Sequence, residues 1–481
     1  MTAAPELPED GCTPCGPSPP ARQLSLFFGI WAVVVFYDRA VRGTTDTWWS
    51  VAIVLCAGLV VMRPRAAGRV GLLSAVHLAW YVAGYTRRAD VHWHVAALLH
   101  LSVLLALLLL GLRHRRAPTF AELHPAIAPV ARWIFVIGVL AAGFAKLNTG
   151  FVDPATSCAV DLFRYQRTVL PYALLPDAPW SRALAIVVTL MAELGAPLLL
   201  LCRATRPAGF VLTFGFFLLI GTNPVGYLYE FAGLFVALAL FFAGPDVVDQ
   251  GLRTVALGVR ATMAPLLPVL VHLRLVRMPL LLLGAVAAGV LAFGSGPLDA
   301  HVLRLYVCRV VFVVGLAGLS VVLIAGSRGR TSPRLPILPR PLLLLWVPAV
   351  FLAGEITPYI GLKHTPTMTM AANNALSTQF SNHLIVNPVP AWSFNRVVTI
   401  RHSSDRGLKA GFQMVWVAFA SYLAAHPEAT VRFEVDGKIE TVTRVGDDPR
   451  FQRRSVLPAL LRLGQEHYPV RTPRCGHPPP R

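Results

Sequence analysis

The chain has 481 residues, of which 55% are hydrophobic and 14% are charged, and its mean hydropathy is +0.59. A soluble domain carries about 25% charged residues, so a soluble globular enzyme is excluded. Seven cysteines are too few for a disulfide-rich secreted scaffold. The formal net charge of +19 would suggest nucleic acid in a soluble protein. Because no aromatic-basic motif of an RNA or DNA module occurs, we expect no nucleic-acid partner and place the arginines in membrane-protein loops.

The N-terminal residues 1–22 are rich in proline and polar side chains, which predicts a disordered cytoplasmic tail. No charged segment followed by a short apolar core begins the chain, so we expect no cleavable signal peptide. Cys12 and Cys15 form a C-x-x-C pair in this tail. One such pair cannot close a four-ligand zinc site, so we interpret the two thiols as incidental.

Eleven apolar segments follow the tail, each close to the roughly 20 residues that a helix needs to cross a bilayer. Ten-residue alternation typical of a membrane barrel does not recur. The predicted fold class is an all-α polytopic membrane bundle of about 11 transmembrane helices over residues 23–357. The predicted spans are 24–41, 47–62, 70–86, 91–112, 126–146, 183–202, 207–224, 227–244, 279–296, 305–326 and 341–357.

The distribution of arginine and lysine among the loops predicts the orientation. With the N-terminus in the cytoplasm, sixteen basic residues fall on the inner side and nine on the outer side. We therefore predict a multi-pass protein of the cell membrane whose C-terminal region is extracytoplasmic. Residues 250–277 combine apolar side chains with arginines, which predicts either an interfacial amphipathic helix or an ordinary basic loop.

The composition changes after the last predicted span, and residues 358–470 are expected to form a small α+β module before a flexible tail at 471–481. Residues 396–402 alternate like a strand, and 409–425 have the apolar spacing of a helix. Asp436-Gly437 between two alternating runs predicts a β-hairpin. A short basic helix near 451–466 completes the module.

Placing an ionisable residue at the middle of a membrane-spanning helix costs about 2.5–3.5 kcal/mol of insertion free energy, so each such residue calls for a structural or functional explanation. Most are explained by snorkelling at helix ends or by packing ion pairs. Lys146 follows a run of small residues that lets neighbouring helices approach closely, and a lysine in such a dry site can serve as a base. The ionisable residues in the spans are His92, His94, Arg132, Lys146, Glu193, Glu230, Arg309 and Glu355.

The run Ala142-Gly-Phe-Ala-Lys-Leu-Asn-Thr-Gly-Phe-Val-Asp153 resembles the AG-x-x-K-L-x-x-x-W-x-x-G signature of the horizontally transferred transmembrane (HTTM) domain. This domain is the membrane part of vitamin K-dependent γ-carboxylase. Five further segments resemble stretches of that family in order and spacing. These segments are Val91-His-Trp93, Glu193-Leu-Gly-Ala-Pro-Leu-Leu199, Asn223–Phe231 and, after the last span, Pro358–Lys363 with Ser381-Asn-His-Leu384.

The resemblance implies that Lys146 acts as a base on a lipid-soluble quinol such as vitamin K hydroquinone, with His92 nearby. Glu193 is expected beside them, around a cavity that faces the lipid. An outward-facing C-terminal module would then present or receive a protein substrate. The cofactor itself is not specified by any residue pattern.

Departures from the family pattern leave two alternatives open. Phe151 stands where the family has tryptophan, Pro154 where it has glycine, and Leu218–Ile220 where it has histidine. A non-catalytic membrane scaffold that binds a partner, or a transporter, is therefore weighed against the carboxylase-like enzyme. Cys158 and Cys475 both fall on the predicted outer side, where a disulfide is chemically allowed, although unpaired thiols are the simpler interpretation.

Overall fold

The computed structural model describes residues 17–42, 47–84, 91–168, 174–223, 228–263, 298–327, 334–361, 368, 372, 381–387 and 396–452. These residues are mostly helical, and six helices are long and apolar enough to cross a bilayer, so the chain is a multi-pass membrane protein. The helices are α1 (Pro19–Arg42), α2 (Thr47–Met62), α3 (Ala67–Ala83), α4 (Val91–His114), α5 (Phe120–Ala145), α6 (Thr149–Val152), α7 (Cys158–Gln166), α8 (Pro179–Leu190), α9 (Ala196–Leu201), α10 (Arg206–Gly221), α11 (Leu228–Ala239), α12 (Pro245–Met263), α13 (Leu298–Ser327), α14 (Trp346–Ile356) and α15 (Trp416–Leu423).

The predicted total of eleven spans is not confirmed. Segments 47–62 and 207–224 form the shorter apolar helices α2 and α10. Each has 16 residues, and at 1.5 Å per residue such a helix covers about 24 Å of a hydrocarbon core of about 30 Å. Segment 70–86 corresponds to α3, which has 17 residues. Segment 279–296 lies outside the described residues.

The predicted span 227–244 and the predicted amphipathic segment 250–277 meet at a sharp bend. Helix α11 continues through a 3-10 turn at Leu240–Phe242, and α12 then leaves at 107°. For the half of the segment that the structure describes, a helix at Pro245–Met263 replaces the loop alternative. The other half, from residue 264, lies outside the described residues.

Helices α1, α4, α5 and α11 form the centre of the bundle, where large side chains are fully buried. Phe135 on α5 and Phe235 on α11 have ring centroids 5.8 Å apart. Helix α5 begins at a capping box in which Thr119 and Glu122 satisfy each other's backbone amides. Lys146 is the residue that caps its C-terminal end, so the position of this central helix determines where the lysine lies.

The C-terminal residues form a four-stranded antiparallel sheet in the order β2-β1-β3-β4, with α15 packed against it. The predicted strand at 396–402 and the predicted hairpin are confirmed. Asp436 (φ 49°) and Gly437 (φ 77°) both have positive φ angles, as a tight hairpin turn requires. The strands are β1 (Val397–Ser403), β2 (Gln413–Val415), β3 (Val431–Val435) and β4 (Lys438–Val442).

The predicted helix over 409–425 is only partly correct. Gln413–Val415 forms strand β2, because Val415 and Met414 pair with the first two residues of β1. The helix then begins at Trp416, so pairing with a distant strand overrides the local helical spacing. Most of the predicted basic helix, from residue 453, lies outside the described residues.

Candidate functional site

Lys146 lies at the C-terminal end of α5 and is 5% exposed. Its Nζ donates a hydrogen bond of 3.0 Å to Oε1 of Glu193 and lies 2.8 Å from Oε2. A third contact, of 3.3 Å, joins Nζ to the carbonyl oxygen of Ala142. The ammonium and the carboxylate therefore form a buried, two-oxygen ion pair, which is the arrangement in which a buried charge is best compensated.

Glu193 lies in a π-helical turn, Met191–Gly195, that interrupts the helix formed by α8 and α9. Such turns are rare and occur frequently at functional sites. Gly143 of α5 makes the close approach of the two helices possible. A Cβ atom at this position would lie 2.8 Å from Cδ2 of Leu194 and 3.1 Å from the carbonyl carbon of Glu193. The small residues before Lys146 therefore bring lysine and glutamate into contact, as small residues do between membrane helices.

The ion pair forms part of the wall of a cavity of about 220 Å³, called here the Lys146 cavity. Apolar side chains of α7, α8, α10 and α11 form most of its lining. Trp180 and Leu184 line the cavity and are themselves 56% and 51% exposed, so it reaches the apolar outer surface of the bundle. Its aromatic lining consists of Phe151, Phe163, Trp180, Phe216 and Phe231.

Buried hydrogen bonds around Asn148 and His383, called here the polar buttress, hold the loop that follows Lys146. Asn148 is fully buried, and its side chain donates to the carbonyl of Ala145 and accepts the amide of Phe151. Residues 381–384 pack against this loop, since Asn148 forms a bridge with His383 and Leu384 donates its amide to the carbonyl of Leu147. The segment of the sequence far after the last span therefore fixes the end of α5.

His383 is neutral in this buttress. Burial lowers its pKa below the ordinary value of 6.5, although its bond to the carbonyl of Phe144 opposes this shift. Nδ1 lies 3.2 Å from the amide nitrogens of Ile385 and Val386 and accepts from both, so Nε2 carries the proton and donates to Phe144 at 2.9 Å. His383 therefore holds the neighbouring backbone in place through hydrogen bonds beside the site.

His92 lies in a second buried ionic cluster rather than in the lining of the Lys146 cavity. Its Nε2 is 3.3 Å from Oε2 of Glu230, which also accepts a bond of 2.8 Å from Trp93. The other oxygen of Glu230 lies 3.7 Å from Nη2 of Arg39. The Arg39 guanidinium in turn lies 3.9 Å from the ring centroid of Trp80.

The structure thus brings together Lys146 and Glu193, and gives His92 a different carboxylate, Glu230. Helix α11 lies between the two clusters, because Phe231 lines the Lys146 cavity while the adjacent Glu230 faces His92. Arg39 is one of the nine basic residues that the sequence places on the outer side. The signals for its burial are its place inside the predicted span 24–41, two residues before the end, and the adjacent Asp38.

Two other predicted intramembrane charges have structural partners. Arg132 donates to the carbonyl of Phe241 at 3.0 Å and to that of Pro336. Glu355 accepts the amide of Met368 at 2.7 Å. Both contacts join distant parts of the chain, which fits the interpretation of these residues as packing groups.

Within the described ranges, no group of three His, Cys, Asp or Glu side chains is placed to hold a metal ion. Cys158, buried beside Phe151, is disulfide-bonded, so its interpretation as an unpaired thiol is wrong. Cys475 lies outside the described residues. No protein-family model, curated protein or solved structure matches the chain.

Proposed function

We propose that the chain is a membrane enzyme that binds the head group of a lipid-soluble hydroquinone in the Lys146 cavity and removes a hydroxyl proton, with Lys146 as the base. The observation that carries this proposal is an apolar cavity ending on one buried ammonium–carboxylate pair. An apolar pocket with few convergent polar groups is the usual form of a small-molecule site. Its opening among exposed apolar side chains suits a substrate that arrives from the bilayer.

The size of the cavity limits the substrate. An apolar cavity of about 150 Å³ holds one benzene molecule. At about 220 Å³, the Lys146 cavity has room for a head group of one or two aromatic rings, but not for a long isoprenoid chain. The chain of such a substrate would leave past Trp180 and Leu184 into the lipid. The aromatic rings of the lining suit a flat ring system.

The ion pair provides a route for the proton. In the resting pair, Lys146 carries the proton and Glu193 is ionised. Transfer of this proton across 2.8 Å removes two buried charges at once and leaves a neutral amine and a carboxylic acid. The amine then accepts the hydroxyl proton of the hydroquinone, and the resulting ammonium stabilises the phenolate beside it. A site closed to bulk water keeps that phenolate reactive.

The resemblance to the HTTM domain gives independent support, because the segments that carry it contact one another. Residues 142–153 touch Glu193 through Lys146 and touch 381–384 through Asn148. The segment Val91–Trp93 contacts the segment Asn223–Phe231 through His92 and Glu230. His92 would then support helix packing near the site instead of touching the substrate. A protein substrate at the outer face is proposed on the resemblance alone, and carboxylation of that substrate is not proposed.

The experiment uses the purified full chain in nanodiscs and a short-chain naphthohydroquinone under anaerobic conditions. Absorbance spectra report saturable binding and the fraction of bound probe present as its anion. We expect Lys146→Met to bind the probe but to show little or no anion, because the group that takes up the hydroxyl proton is absent. Glu193 can take up a proton in this variant, so the fold is expected to persist.

A matched pair of variants tests where the probe binds. Ala185 lines the cavity, whereas Ala183 on the same helix is exposed and does not. Ala185→Phe is expected to weaken binding by about ten-fold or more, whereas Ala183→Phe is expected to leave it unchanged. Absence of saturable binding to the wild-type protein, or full anion formation by Lys146→Met, would overturn the enzyme hypothesis and favour the scaffold alternative.

A further inference from the structure

We infer that a second cavity, on another side of the bundle from Lys146, is a binding site for one anionic phospholipid. This cavity of about 1030 Å³ lies among α1, the end of α2, α11, α12 and α13, and it is called here the arginine groove. Among the described residues, none lines both the arginine groove and the Lys146 cavity. The inference is therefore independent of the proposed enzyme function.

Three arginines lie along one end of the groove. They are Arg22 of α1, Arg65 after α2 and Arg253 of α12. Asp249 pairs with both Arg22 and Arg253, the latter at 3.0 Å. Three positive charges against one negative charge leave a net charge of about +2 at this end. A phosphate group is the anion that arginine recognises best, because the guanidinium donates two parallel hydrogen bonds.

The rest of the groove is apolar and has the depth of one lipid leaflet. Along α1 the lining extends from Arg22 to Val34, which is twelve residues or about 18 Å at 1.5 Å per residue. Half of a hydrocarbon core of about 30 Å is about 15 Å. A head group at the arginines would therefore place its acyl chains along the apolar wall, to a depth near the middle of the bilayer.

Helix α13 forms the outer wall of the groove and packs against other helices near its C-terminal end and at its middle. Near its C-terminal end, a Cβ on Gly326 would lie 1.9 Å from the carbonyl oxygen of Val247, so α12 and α13 are in backbone contact there. At the middle of α13, Phe312 packs so closely on Gly221 that a Cβ on this glycine would lie 2.4 Å from the ring. Between these contacts, Gly315 lines the groove and has nothing within 4 Å of an added Cβ.

As far as the described residues show, the groove is open to the outer surface, as lipid entry requires. Val310 and Val314 line it and are 59% and 64% exposed. Arg65 and Arg253 are also exposed at the charged end. A free phosphate ion would be served by the arginines alone and would not use this apolar wall. The arginines and the apolar wall together fit an amphiphile with an anionic head group. The abundant membrane component of that chemistry is an anionic phospholipid.

Native mass spectrometry of the full chain, released from nanodiscs of equal parts phosphatidylglycerol and phosphatidylcholine with identical acyl chains, tests this inference. We expect the wild-type protein to retain one phosphatidylglycerol in at least about ten-fold preference over phosphatidylcholine. Arg65→Gln/Arg253→Gln is expected to lower that preference by about ten-fold or more. Arg63→Gln/Arg113→Gln is the matched control, because both arginines are exposed and neither lines the groove.

Two glycines of α13 test whether the bound lipid occupies the groove. Gly315 and Gly318 are both exposed with open space around an added Cβ, but only Gly315 lines the groove. Gly315→Leu is expected to lose the retained lipid and Gly318→Leu to keep it. Equal retention by these two variants, equal retention of the two lipids by the wild type, or an unchanged preference in the arginine double variant would overturn the inference.

Discussion

The two buried ionic clusters of this bundle contain similar residues in different surroundings. Lys146 and Glu193 form a pair whose outer side faces a cavity. Glu230 is 0% exposed and lies among Arg39, His92 and Trp93. In the first cluster a substrate can reach the charged groups, whereas in the second the neighbouring side chains already occupy the space around the carboxylate.

This difference separates charges that hold the helices together from charges that are available for chemistry. Arg39 belongs to α1, His92 to α4 and Glu230 to α11, so one carboxylate joins three helices. Lys146 and Glu193 join only α5 and the π turn. Neutralising the first cluster should therefore damage the fold, whereas neutralising the second should damage function.

The largest expected effect is on stability, in Glu230→Gln. The amide keeps the size of the side chain but removes one of two carboxylates beside Arg39, the other being Asp38 at 3.8 Å. Loss of one partner from a buried ion pair costs about 3–5 kcal/mol. Thermal unfolding of the detergent-solubilised chain, monitored by size-exclusion chromatography, measures this loss of stability.

The matched control neutralises both members of the other pair. Lys146→Met/Glu193→Leu leaves no unpaired charge, and such replacement of a buried ion pair is often neutral or stabilising. We expect its unfolding temperature to stay near that of the wild type. Equal destabilisation by the two changes would contradict the assignment of structural and functional clusters.

Sequence reasoning could identify the charged residues but not their partners. A lysine, a histidine and two glutamates within apolar segments are expensive wherever they lie, so Lys146, His92, Glu193 and Glu230 were all recognisable. Which carboxylate pairs with which base depends on how α4 and α11 pack against each other. The pattern of residues along the sequence does not determine this packing. His92 was therefore grouped with Lys146, whereas the packing gives it to Glu230.

An intermediate effect is expected from Gly143→Ala, which sharpens the comparison by moving Lys146 away from Glu193 without changing either residue. The added methyl would meet Leu194 at 2.8 Å, and overpacking of this kind costs about 1–3 kcal/mol. We expect moderate destabilisation in the same unfolding assay and loss of anion formation by the bound hydroquinone. Gly215→Ala is the control, because nothing lies within 4 Å of its added Cβ. Full anion formation by Gly143→Ala would show that the close approach of α5 to the π turn is not required.

Local signals determined the C-terminal sheet better than they determined the bundle. Asp436-Gly437 fixes its hairpin through the φ angles of two adjacent residues, so the sequence suffices there. The number of spans could not be read in the same way. Apolar helices of 16 residues and the 107° bend before Pro245 look, in composition, like ordinary spans. Length and hydropathy carry no information about bending or about tilt in the bilayer.

The smallest expected effect concerns an ion pair outside the membrane, where solvent screens the charges. Arg450 donates to Asp448, and this hydrogen bond lowers the pKa of the carboxyl group below its ordinary value of 3.8. A carboxyl group whose pKa is lowered on folding adds stability above its ordinary pKa, and this contribution is lost as the pH falls through the lowered value. Because the Arg450 side chain is 42% exposed, the contribution should stay below about 1 kcal/mol.

Hydrogen exchange of the β3 and β4 amides in the full chain should be slower in the wild type than in Asp448→Asn at pH 5. The difference should shrink as the pH falls below 3.8 and vanish once the Asp448 carboxyl group is protonated. A difference that persisted in the fully protonated state would mean that Asp448 stabilises the sheet through its shape and hydrogen bonds and not through its charge.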